Sequence, residues 1–231
     1  MIGVFILVAA SVVLLVGATF DDSWSAVAPV GRVVGVFGKM GSGKTLYASG
    51  VALRYLRAGY GVFANYDLDF SGFGYSVRRV DRLSDIRDCS RGVVIFDEAH
   101  ILAPSWDNKA LSMADRLLIS QVRKRGLDVY VVSQHPARIA KVLRELLTEV
   151  VFVERLFSAA FIVKIYDPDD VAGSMTGVGK VKAKPEKWSI SLMDRVAAAS
   201  YQTYAIVDGL GVLDGRVLED GDAEGFEDAS A

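Results

Sequence analysis

Gly38-Lys39-Met40-Gly41-Ser42-Gly43-Lys44-Thr45 is a complete G-x-x-x-x-G-K-[ST] stretch, with four positions matched in type and spacing. A β-branched run over residues 32–37 precedes it and a helical pattern over 44–58 follows it, so the loop sits in the strand–loop–helix context that gives the motif its meaning. Gly38, Gly41 and Gly43 permit backbone angles and close approaches that a Cβ forbids, and successive N–H groups can then point inward at phosphate oxygens. The helix that begins near Gly43 adds its N-terminal partial positive charge. Lys44 can reach the β- and γ-phosphates, and the Thr45 hydroxyl is placed to ligate Mg²⁺. Lys39 and Met40 complete the loop; Lys39 reads as a solvated side chain.

Working outward, a second chemical landmark follows about 50 residues on. Residues 93–96 are apolar and end in Asp97-Glu98. A buried strand ending this way places Asp97 near a Mg²⁺ shell, while Glu98 can polarise the water that attacks a γ-phosphate. Residues 127–133 form a further strand with Gln134 at its end. If that strand runs between the other two, Gln134 stands beside the γ-phosphate and can orient the water. Residues 97–100 also spell Asp-Glu-Ala-His, the box of a large helicase superfamily. Those enzymes close ATP between two lobes, and 231 residues hold one such lobe, so His100 is read as a neighbour of the site rather than a catalytic group.

The remaining pattern is alternating α/β. Strands are expected over 32–37, 61–67, 93–96, 127–133, 149–157 and 160–166, the last two as a hairpin. Helices are expected over 44–58, 81–88, 109–123, 135–148 and 192–204. Residues 68–80 read as an irregular excursion and 167–188 as a polar loop carrying Lys180, Lys182, Lys184 and Lys187. The helix over 109–123 ends in Arg123-Lys124-Arg125-Gly126. Cations at a helix C-terminus with a glycine cap explain that run structurally; an arginine finger onto a neighbouring subunit, or a phosphate contact to DNA, explains it functionally.

Residues 2–20 are 19 positions without a charge, close to the roughly 20 that cross a bilayer as a helix. A transmembrane anchor over 1–22 is the expectation. A cleaved signal peptide competes poorly, because no basic stretch precedes the apolar run. Residues 23–31 follow as a linker, 32–213 as the catalytic domain and 214–231 as an acidic tail of low hydrophobicity, expected to be disordered. The net charge of −2 hides an asymmetry: residues 32–200 carry 25 Lys and Arg against 18 Asp and Glu, whereas 201–231 carry Arg216 against eight acids. A basic core is compatible with nucleic acid. The single cysteine, Cys89, excludes an internal disulfide and a Cys-based zinc site.

Together, GKMGSGKTLYA, GYGVFANYDLDF, VVIFDEAH, QVRKRGLDVYVVSQHP and, more weakly, SYQTY resemble the zonula occludens toxin-like ATPases and, more broadly, the HerA/FtsK group. The resemblance spans about residues 32–204 and implies an α/β fold, a single RecA-like P-loop NTPase domain of ASCE type. It puts Lys44 and Thr45, Asp97 and Glu98, and Gln134 on the Walker A, Walker B and sensor positions, and Arg123 and Arg125 in the basic segment that supplies a finger. It further suggests a viral or proviral assembly or genome-packaging motor, with a homo-oligomer such as a hexameric ring and DNA or virion proteins as cargo. The site chemistry calls for ATP and Mg²⁺, and because ATP is cytoplasmic the ATPase domain of a single-pass membrane protein is expected on the cytoplasmic side. In such phage proteins the membrane segment follows the ATPase domain, whereas here it precedes it. A DNA translocase of a plasmid or conjugation system, a small-molecule kinase and a non-hydrolysing scaffold are the competing readings.

Overall fold

The computed structural model describes residues 27–106, 111–157, 160–175, 183–192 and 194–200, together with the pairs 207–208 and 211–212. The chain divides into a unit through Tyr201 and a second from Gln202, of which the described part is the antiparallel pair β9 (Val207–Asp208) and β10 (Gly211–Val212).

The first unit is built on one eight-stranded sheet. Its strands are β1 (Val33–Phe37), β2 (Gly61–Ala64), β3 (Arg78–Arg79), β4 (Gly92–Phe96), β5 (Leu127–Ser133), β6 (Glu149–Phe157), β7 (Ala160–Tyr166) and β8 (Lys187–Leu192), in the spatial order β3-β2-β4-β5-β1-β6-β7-β8. The strands from β3 across to β6 run parallel, and β7 and β8 extend the sheet antiparallel. Every residue of β1, β4 and β5 is buried. That is why these strands read as near-continuous apolar runs rather than as an alternation. Alternate residues serve two separate cores: Val34, Val36, Val93, Ile95, Val132 and Val151 face the side covered by helix α1 (Lys44–Arg57), while Val33, Phe37, Val94, Phe96, Val129 and Val131 face the other. Removing each such side chain from water contributes about 1.5–3 kcal/mol.

β5 runs between β4 and β1, with Val94 opposite Val129 on one side and Phe37 opposite Ser133 on the other. An inserted strand at this position and a mostly parallel α/β sheet fit the RecA-like P-loop domain that the sequence led one to expect. The C-terminal ends of β2, β4, β5 and β1 thereby meet along one edge.

Several elements are shorter than the apolar periodicity suggested. The expected helix over 109–123 is an α-helix, α2 (Met113–Ser120), followed by a 3-10 turn, Val122–Arg125. Ser112 starts it: its Oγ accepts from Asp115 N at 3.1 Å while the Asp115 carboxylate accepts from Ser112 N at 3.0 Å. Gly126, at φ 58°, ends it. The expected helix over 135–148 is divided into a 3-10 turn, Pro136–Arg138, and the short α3 (Lys141–Glu145), because Ile139 is drawn into an antiparallel bridge with Pro104. The strand over 61–67 stops at Ala64 and the helix over 81–88 is a 3-10 turn, Leu83–Asp88. The expected loop over 167–188 holds α4 (Pro168–Met175) and the first residues of β8; Asp167 caps α4 by accepting from Asp169 N at 2.8 Å. The last helix, expected over 192–204, is α5 (Arg195–Ala199).

Among the described residues no helix is long and apolar enough to cross a membrane. The anchor expected over 1–22, residues 23–26 of the linker, Lys180, Lys182 and the acidic tail over 214–231 lie outside the described residues.

Candidate nucleotide site

The loop between β1 and α1 is held by contacts that explain its glycines. Gly43 caps α1 at φ 88°, ψ 21°, and Gly41 has φ 73°, conformations that other residues rarely adopt. A Cβ on Gly38 would lie 2.4 Å from the Val153 carbonyl oxygen, and one on Gly43 would lie 2.2 Å from a Phe161 ring carbon. β6 and β7 therefore wall the loop on one side. Ser42 N donates to the Lys39 carbonyl at 3.1 Å, and Lys44 Nζ donates to the same carbonyl at 3.0 Å. Lys44 is buried, which lowers its pKa, and the nearby Glu98 and Asp97 pull it back up. Lys39 and Met40 are exposed at the tip, Met40 strongly so.

Asp97 leaves β4 at the same edge. Its carboxylate accepts from Glu98 N at 2.9 Å and faces the Thr45 hydroxyl. Burial pushes its pKa up; those two groups oppose the shift. Glu98 has φ 45°, a left-handed conformation that a side chain adopts only when its surroundings impose it. Its Oε2 comes within 3.1 Å of His100 Nδ1, although the two are not aligned as a hydrogen bond. Gln134 follows β5, and its Oε1 accepts from Arg138 Nη1 at 2.7 Å. His135 Nδ1 accepts from Ala137 N at 3.1 Å; burial, then Arg138 and Arg144, hold its pKa down and keep the ring neutral.

Gly38, Gly41, Ser42, Gly43, Lys44, Thr45, Asp97, Glu98 and Gln134 thus come together at one edge of the sheet. Arg123 and Arg125 do not. The turn that carries them precedes β5, and a Cβ on Gly31, just before β1, would lie 2.3 Å from Arg123 Cα. Arg91 N donates to the Arg125 carbonyl at 3.0 Å, and the Arg125 guanidinium donates to the Arg87 carbonyl. Both arginines sit at the N-terminal ends of the parallel strands. The length of a five-residue strand, about 17 Å, separates that edge from the loop of the same chain.

Two residues escaped the sequence reading. Asn65, just past β2, donates from Nδ2 to the Asp97 carbonyl at 2.9 Å and accepts from Asp97 N at 2.6 Å. Arg138 holds Gln134. A polar residue at the end of a buried parallel strand was the available signal for Asn65; Arg138, in the 3-10 turn after β5, had none.

The donors fit a hard divalent cation. Thr45 and Asp97 offer oxygen at one point, Asp97 in a poorly solvated place where a positive charge is favoured, and Mg²⁺ in such sites takes its other ligands from water and phosphate. A phosphate-loop sequence, an acidic strand end and an inserted strand followed by the polar Gln134 fit a P-loop NTPase-type fold. Neither a protein-family model nor a curated protein matches the chain. Among solved structures it is similar to the N-terminal domain of zonular occludens toxin from Neisseria meningitidis, at 18% identity and TM-score 0.51 over 75% of this chain and 100% of that one. Weaker likenesses are to the genome packaging NTPase B204 of Sulfolobus turreted icosahedral virus 2 with AMPPCP, at 16% identity and TM-score 0.44 over 73% and 99%. Its complex with ATP-gammaS matches at 15% and 0.45 over 71% and 98%. The first of these likenesses shows that the chain has a Zot-like P-loop fold.

Proposed function

We propose that the protein is an ATPase, anchored in a membrane by residues 2–20 and assembled as a homo-oligomer, that drives viral or proviral assembly, genome packaging or extrusion on the cytoplasmic side. The observation that carries the enzymatic part is the convergence of Lys44, Thr45, Asp97, Glu98 and Gln134 at one sheet edge, from three strands far apart in sequence.

In this reading the main-chain N–H groups of residues 38–45 and Lys44 hold the phosphates of ATP, and Thr45 with Asp97 would hold Mg²⁺, which supplies charge neutralisation for the phosphates when bound. Glu98, turned by its left-handed backbone, takes a proton from the water whose oxygen attacks the γ-phosphorus as the bond to the β-phosphate oxygen breaks. With its Oε1 occupied by Arg138, Gln134 presents its amide N–H to the γ-phosphate or the attacking water. Arg123 and Arg125 can serve a nucleotide only on a neighbouring subunit.

Phosphate release measured with and without DNA tests this. Lys44→Ala should abolish nucleotide binding, and Glu98→Gln should bind ATP yet hydrolyse it at least 100-fold more slowly. Equal turnover by Glu98→Gln and the parent would sink the base assignment, and phosphate transfer to a small acceptor would favour a kinase.

A further inference from the structure

The residues that would hold the cation are linked by a path of hydrogen bonds and backbone that passes through three residues with no place in the reaction. The Thr45 hydroxyl faces the Asp97 carboxylate and favours its charged form. The Asp97 peptide is clamped from both sides by the Asn65 side chain, at 2.6 and 2.9 Å. The next residue, Tyr66, has its hydroxyl 3.1 Å from Ser49 Oγ, and Ser49 Oγ donates to the Thr45 carbonyl at 2.9 Å. The single Ser49 hydroxyl proton goes to Thr45, so Tyr66 is the donor of that pair. The path runs from Asp97 through Asn65, Tyr66 and Ser49 to Thr45.

We propose that Asn65 and Tyr66 are positioning residues that set the separation of the Thr45 hydroxyl from the Asp97 carboxylate, and with it the affinity for Mg²⁺ in the nucleotide complex. The inference rests on the ATPase reading above. Asp97 begins a turn with two mechanical demands, since the next residue has φ 45° and the chain leaves the sheet there. A single bond to Asp97 would leave its peptide free to rotate. The amide of Asn65 bonds both the N–H and the C=O of that residue, which removes the freedom. Only Asn or Gln carries a donor and an acceptor in one plane for such a clamp, and Gln is one methylene too long for this gap. Ser49 lies one helical turn after Thr45, so Tyr66 secures the first turn of α1 against the same strand end. One dipeptide thus references both candidate ligands to β2, and outer contacts of this kind commonly govern metal affinity.

The experiment uses full-length protein with Mn²⁺ as the probe, titrated in the presence of a non-hydrolysable ATP analogue and followed by electron paramagnetic resonance. Parallel measurements give the affinity for the same analogue in EDTA and the thermal midpoint without ligand. Asn65→Leu removes both bonds of the clamp and Asn65→Asp only the donor; Tyr66→Phe removes the link to Ser49. The expected result is that Asn65→Leu weakens Mn²⁺ binding by about 10–100-fold and that Asn65→Asp and Tyr66→Phe weaken it less. Affinity in EDTA should stay within about threefold. Should Asn65→Leu fail to fold, Asn65→Asp and Tyr66→Phe carry the comparison. Unchanged Mn²⁺ affinity in folded variants, or an equal loss of affinity in EDTA, overturns the inference alone. A parent that takes up no Mn²⁺ with the analogue overturns the ATPase reading, and this inference with it.

Discussion

Asp128 offers a test of what holds the domain together away from its chemistry. It lies second in β5, fully buried, in a strand that is otherwise apolar apart from Ser133. Its Oδ1 accepts from Val30 N, Gly31 N and Arg32 N at 3.0, 2.8 and 2.9 Å. Its Oδ2 accepts from Arg32 Nε and Nη2 at 3.1 and 3.0 Å and from the Tyr55 hydroxyl. The carboxylate therefore ties the segment entering β1 to both β5 and α1. Asp128→Ala strands these donors. Val30 is exposed and the Arg32 side chain is 37% accessible, so water recovers part of their loss. The N–H groups of Gly31 and Arg32 and the Tyr55 hydroxyl stay poorly hydrated, at about 1–3 kcal/mol each. A loss of about 4 kcal/mol follows, within the range for breaking a buried pair from one side. In a chain of this length that lowers the thermal midpoint by about 8–16 °C. Asp128→Asn keeps an acceptor for the N–H groups and should lose about half as much. Tyr55→Phe should lose least. Circular dichroism melts of the three variants measure the order, with analogue binding at a temperature where each is folded. A midpoint for Asp128→Ala within 2 °C of the parent would refute the reasoning. So would a change in nucleotide affinity beyond about threefold, because the cluster sits at the opposite edge of the sheet.

Two further outcomes are expected. Burial raises the Asp97 pKa, so its charged form is disfavoured in the fold; the penalty sets in as pH rises through the ordinary carboxylate value near 4 and is complete above the raised value. Asp97→Asn should therefore melt a few degrees higher than the ligand-free parent at pH 8, with an advantage that shrinks toward pH 4, while losing Mg²⁺-dependent nucleotide binding; a lower midpoint at pH 8 would contradict this. Arg123→Ala or Arg125→Ala subunits mixed with Lys44→Ala subunits should recover measurable ATPase activity if the arginine acts across a subunit boundary, and no recovery in either mixture would remove both from the mechanism.

The residues assigned to phosphate chemistry were legible because their requirements are local. Gly41 and Gly43 adopt positive φ, Lys44 and Thr45 follow at a set spacing, and a strand buried on both faces must read as an apolar run, so β1, β4 and β5 with their terminal Asp97 and Gln134 were visible in one dimension. Element ends were less so. Apolar periodicity over 109–123 and 135–148 continues through the caps and bridges at Ser112, Gly126 and Ile139, and these decide where the helices stop. Tertiary structure alone decided matters of pairing and distance. It put β5 between β4 and β1, which brings Gln134 to the phosphate loop, and it sent Arg123 and Arg125 to the far edge although they are fewer than a dozen residues from Gln134. A strand exchanges one edge of the sheet for the other within seven residues, and no local pattern records which edge a side chain reaches. Asn65 with Asp97, and Asp128 with residues 30–32, are partners 32 and 96–98 positions apart. Their polarity is visible in the sequence, but the groups that satisfy it are brought to them only by the folding of the sheet.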